Sequence, residues 1–122
     1  MRLPTIPNIS AIPAVRQFRG TLNDCVATGD PVLVDVAVVG EVMLNDVEPQ
    51  PAARHHAAEL GEFAEFANAV AAELRDAFHD ACRAHPGGAP ADAVGVTTDR
   101  IRVLNRLGNH AREAAAAVNR AR

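Results

Sequence analysis

The chain of 122 residues contains no Trp, Tyr or Lys, one Ser, two Cys and four Phe. Each shortage removes a class of function. Cys25 and Cys82 lie too far apart for a Cys-x-x-Cys site and are too few for a disulfide framework, so both are expected as reduced, buried thiols. The one serine, Ser10, sits in a Pro-rich N-terminal stretch and supplies no nucleophile constellation. Without Lys, neither Gly29-Asp30-Pro31 nor the Pro/Gly run at 86–90 has the residues or the strand-to-helix context of a phosphate-binding loop. No apolar run approaches the roughly 18 residues of a membrane-spanning helix, so no membrane partner is expected. Pro4, Pro7 and Pro13 stand where a secretory signal would carry an unbroken apolar block.

With 48% apolar and 22% charged residues, the length suits one globular domain. All 12 basic residues are Arg and Ala is abundant, as in proteins of GC-rich genomes. Phe18, Phe63, Phe66 and Phe78 are the only aromatics beyond histidine, so the core must be built from Val, Leu, Ile and Ala. These contribute less burial per residue than large aromatics, and modest stability favours association.

The net charge of −3 conceals a segregation. Residues 1–22 carry Arg2, Arg16 and Arg19 and no acid, giving +3. Residues 23–99 carry 14 acids against Arg54, Arg75 and Arg83, giving −11, and residues 100–122 carry six Arg against Glu113, giving +5. A basic tail on an acidic body suggests an internal pairing of oppositely charged helices or a head-to-tail contact between subunits. Nucleic acid is a less favoured partner, because the Arg residues have no interleaved aromatics and no recognisable binding motif.

In the first 12 residues Leu3, Ile6, Ile9 and Ile12 recur with the three-residue period of polyproline II, and Pro4, Pro7 and Pro13 follow a parallel phase. They predict an extended arm whose apolar edge needs a groove on its own body or on a neighbour. From Pro13 the period changes: Val15, Phe18, Leu22, Cys25 and Val26 share a helical face, predicting a helix over 13–28 that ends at Thr28-Gly29. Asp30-Pro31 then opens a run in which Val32, Val34, Val36, Val38, Val42 and Leu44 alternate with Asp35 and Glu41, predicting a strand over 31–44 with a bulge or bend at Gly40. No second strand of comparable quality exists. Val32, Val34, Val36 and Val38 are therefore expected to form a pairing edge, by a turn near Gly40, with the arm, or with another copy.

Asn45-Asp46 can cap a helix over 48–85, in which Leu60, Phe63, Ala67, Val70, Leu74, Phe78, Ala81 and Cys82 face one way and Glu62, Glu65, Asp76, Asp80 and Arg83 the other. A Pro/Gly-rich loop over 86–97 and a cap at Thr98 or Asp99 lead into a last helix over 98–121. Its Leu104, Leu107, Ala111, Ala114, Ala115 and Val118 face inward, and Arg102, Arg106 and Arg120 form a basic outer face. The expected fold is α+β, mainly α: an arm, a short helix, one strand or hairpin, and a long antiparallel two-helix hairpin.

No residue set carries chemistry. His55-His56 with Glu59 has metal-like spacing, but adjacent side chains diverge by about 100° on a helix, so at most one His shares a face with Glu59. Asp76-x-x-His79 occurs once and lies outward, without the inward carboxylates of a di-iron bundle. His85 suits a helix C-terminus and His110 flanks the apolar face of the last helix as a packing residue. Glu59, Glu62, Glu65, Glu73, Asp76 and Asp80 make an acidic stripe opposite the apolar face, where nothing raises a carboxyl pKa for acid-base work. Catalytic residues, cofactor and metal are therefore all expected to be absent. The residues point to a non-enzymatic assembly subunit that binds itself and other subunits, such as a capsid, neck or tail component of a phage with an actinobacterial host. Such a protein would be cytoplasmic or part of a virion assembled in the cytoplasm. The alternative is a regulatory binding module, antitoxin-like or nucleic-acid-associated, that works through the Arg-rich helix.

Overall fold

Proline fixes the backbone angle of a first helical turn and gives up no needed hydrogen bond there, and Pro13 and Pro31 each begin a helix. Helix α1 spans Pro13–Ala27, α2 Pro31–Val47, α3 Arg54–Ala84 and α4 Ala91–Ala121, after a single 3-10 turn at Ile9–Ala11. The structure, a computed structural model, describes residues 8–84, 87 and 91–121, the side chains of 91–93 apart. Among the described residues there is no strand, and the one β contact is an isolated antiparallel bridge between Asn8 and Pro51.

The fold is therefore all-α, and the strand expected over 31–44 is helix α2. Asp30 accounts for the difference. Its carboxylate accepts from the backbone N–H of Val32 at 3.0 Å and of Leu33 at 3.2 Å, capping a helix that Pro31 has already started. A run apolar at almost every position fits both periods. Beside the alternation lies a helical set, Leu33, Val36, Ala37, Gly40, Leu44 and Val47, and these are the buried residues of α2. With no partner strand to complete a ladder, the helix satisfies its own backbone, at a propensity cost of some tenths of a kcal/mol for each β-branched residue. Val32, Val34, Val36 and Val38 do not form an edge: Val36 is buried, Val32 and Val34 are half-buried and Val38 is exposed.

Gly29 makes the turn between α1 and α2 possible, with a φ of 69° that disfavours any side chain. At Gly40 the reason for glycine is contact, not a bulge. A Cβ there would sit 2.7 Å from Leu22 Cδ2 and 2.8 Å from Phe63 Cζ, so α2 crosses close above α1 and α3. Phe18 and Phe63 meet edge to face below it, with centroids 5.4 Å apart.

The main contact is between α3 and α4, and α1 packs on α4 and on α2. Leu60, Ala64, Ala67 and Ala71 are buried against Leu104, Leu107, Ala111, Ala114 and Val118. Gly108 leaves room for Asn68, whose Nδ2 donates to Asn105 Oδ1 at 3.0 Å. Thr21 Oγ1 and His110 Nδ1 lie 2.6 Å apart and tie α1 to α4, and Arg100 Nε donates to Asp30 Oδ2 at 2.8 Å, tying α4 to the start of α2.

Several boundaries differ from expectation. The third helix begins at Arg54 rather than residue 48, because α2 continues to Val47 and Glu48 to Ala53 form the turn. The last helix begins at Ala91, so Thr98 and Asp99 lie inside it rather than capping it. In the described part of the arm, residues 8–12, Ile9 lies in the 3-10 turn rather than in extended backbone, and both Ile9 and Ile12 are buried in the chain's own core. Leu3 and Ile6 lie outside the described residues.

Candidate functional site

Among the described residues no group of three or more His, Cys, Asp and Glu is placed to hold a metal ion. His56 is buried at the start of α3, with neither ring nitrogen hydrogen-bonded, while its neighbour His55 is exposed. Burial and the adjacent His55 lower the His56 pKa against the pull of Glu59, so the ring is held neutral. Asp76 and His79 are both exposed, and His85 lies outside the described residues. Cys25 is buried in α1, and burial with the nearby Asp24 charge pushes its thiol up to about 11, which leaves no thiolate for chemistry.

Asp30 is a second polar centre. Partial burial works against its charge, yet the Arg100 guanidinium and the Leu33 and Val32 amides together hold its carboxyl below the usual range. The surrounding groove, about 340 Å³, also holds Arg102 and Asp99, which pair at 2.7 Å. Its charges neutralise one another in place. Arg106 and Arg120 are exposed and share one side of α4 with Arg102 by the helical period.

The feature with no internal explanation is the outer side of α2. Val38, Val39 and Val42 are 47%, 48% and 59% exposed, and Phe66 on α3 is 40% exposed. Single exposed apolar residues are ordinary, but a contiguous set is not. Val39, Met43, Phe63 and Phe66 line an open groove of about 250 Å³ between α2 and α3, with Glu59 and Glu62 on its wall. Along the same outer side of α2 lie the exposed Asp35 and Asp46. Of the strand-edge residues expected from sequence, only Val38 reaches this surface, and Val39, Val42, Met43 and Phe66 are the ones to add. Their signal was the lack of any polar side to α2 wide enough to face water.

Among the described residues, no helix is long and apolar enough to cross a membrane. Compared with known proteins, the chain matches no protein family, no curated protein and no solved structure.

Proposed function

We propose that the chain is a non-enzymatic assembly subunit that holds another protein on the valine face of α2. The observation that carries the reading is the continuous exposure of Val38, Val39, Val42 and Phe66 beside a groove open along the α2–α3 seam. Exposed apolar surface of this kind is removed from water by association, and a groove between two helices suits the apolar side of a third. The test uses three synthetic helical peptides of about 18 residues, each with one leucine face and an opposite face of Lys, Gln or Glu. At least one is expected to bind the parent chain, and Val39→Ser with Val42→Ser is expected to weaken that binding about tenfold or more, or about 1.4 kcal/mol, with circular dichroism unchanged. No binding by any of the three, or binding indifferent to the double substitution, overturns the reading.

A second reading rests on Arg102, Arg106 and Arg120 being exposed on one side of α4. It treats that side as a phosphate-contacting surface. Binding of duplex DNA at low salt that weakens steeply with added salt, and that falls on replacing the three with Gln, would favour it. No binding at low salt ends it.

A further inference from the structure

We infer that the occupant of the α2–α3 groove is a cationic amphipathic helix from a different protein, not a second copy of this chain presenting the same face. The inference rests on the valine face being a docking surface and adds the chemistry of what docks there.

The argument is one of charge. Helix α2 carries Asp35, Glu41 and Asp46 and no basic residue. The groove wall contributes Glu59 and Glu62, and no Arg or His lines it. The acidic stripe of α3 includes the exposed Glu65 next to Phe66 and continues beyond it through the exposed Glu73 and Asp76. Phe66 is thus an aromatic set among carboxylates, and Val39 and Val42 lie between the Asp35 and Asp46 rows. A partner that buries these apolar side chains must bring its own polar margin against carboxylates on both sides, and cationic side chains meet them more favourably than neutral donors do.

A second copy fails the same test. In a two-fold dimer each face meets itself, so the acidic margin formed by Asp35, Asp46, Glu59 and Glu62 would be brought against the same acidic margin of the second copy with no basic residue to offset it. On the chain's own α4 the exposed large apolar side chains among the described residues are Val94 and Val96, at the end of the helix where Arg100 and Arg102 are already paired with Asp30 and Asp99. None lies on the stretch that carries Arg106 and Arg120. The fitting occupant is a helix with Leu, Ile or Phe along one side and Lys or Arg flanking it, laid along the roughly 25 Å of α2.

The Lys-faced, Gln-faced and Glu-faced peptides separate this claim from the docking reading beneath it. The Lys-faced peptide is expected to bind about tenfold or more tightly than the Glu-faced one, with affinity falling as salt rises. Glu59→Gln with Glu62→Gln is expected to weaken only the Lys-faced peptide, by roughly threefold or more, and to flatten its salt dependence. If the Gln-faced or Glu-faced peptide binds equally well and still depends on Val39 and Val42, the docking surface stands and the cationic occupant is overturned. If no peptide binds, both fall. Light scattering of the parent chain is expected to give a mass near 12.9 kDa. A dimer that Val42→Ser dissolves would put a second copy in the groove and overturn the inference.

Discussion

The α3–α4 hairpin runs through two environments along its length. Next to α1 and α2, its inner side is fully enclosed: every buried residue of α3 lies between His56 and Ala71, and those of α4 lie between Leu104 and Val118. Further out, from about residue 72 of α3 and before Leu104 in α4, none of the described side chains is buried, and Leu74, Phe78, Ile101 and Val103 are only half-covered. The sequence periodicity is the same in both halves. What separates them is a third layer, since a helix pair alone covers only the seam between its members. The enclosed half can therefore hold a rigid docking face, and the outer half is held mainly by two helices against each other.

The sharpest break of that contrast is Phe18→Ala. Phe18 is fully buried and packs edge to face on Phe63, linking α1 to the hairpin. Its truncation is expected to cost about 3–5 kcal/mol, read as a drop in the midpoint of chemical denaturation. A loss under about 1 kcal/mol would mean that the third layer contributes little to the body.

A smaller effect comes from His56, whose two buried, unbonded nitrogens are, with Asn68 Oδ1, the polar flaws among the described residues of the enclosed half. Its pKa is lowered in the fold from the ordinary 6.5, so above that value the ring is neutral in both states and costs no charge. As pH falls below 6.5 the unfolded chain takes up a proton that the folded chain resists, and stability declines toward the depressed folded value. His56→Leu is expected to flatten this decline between about pH 7.5 and 5, and to match or exceed parent stability at the upper end by about 1 kcal/mol. An unchanged slope in thermal melts across that range would show that His56 protonates freely in the folded state.

The sequence made the helices expected at 13–28, 48–85 and 98–121 visible because each has one apolar face and one charged face, so only one period fits. Their ends were less legible, and residues 91–97, expected as loop, are helix. Helix α2 was misread because apolar residues at nearly every position satisfy periods of 2 and 3.6 together, and Asp30-Pro31 serves as a helix start as readily as a strand break. That ambiguity and the candidate site have one origin. Residues able to belong to either period are apolar on the outer side too, and the surplus became the exposed Val38, Val39 and Val42. Phe66 was legible as an aromatic off the apolar face of α3, but its role depends on α2 being a helix beside it. The expectation of a virion component leaned on an arm and an unpaired strand. The strand is a helix, Ile9 and Ile12 are buried in their own chain, and Leu3 and Ile6 lie outside the described residues, which leaves the charge-segregated hairpin as the feature that reading still draws on.

The smallest effect should fall where the third layer is missing. Phe78 is a residue of the same type as Phe18, on the same apolar face of its helix, yet it stays half-exposed in the outer hairpin. Phe78→Ala removes a side chain whose neighbours lie on one side only and leaves no closed cavity, so the cost should be about 1 kcal/mol or less. Amide exchange gives the matching local readout. Protection along α3 should be highest between His56 and Ala71, fall beyond about residue 72, and change little in the enclosed half when Phe78 is truncated. Uniform protection along α3, or a loss from Phe78→Ala as large as that from Phe18→Ala, would mean that the two halves unfold as one unit and that the hairpin alone sets the stability of the fold.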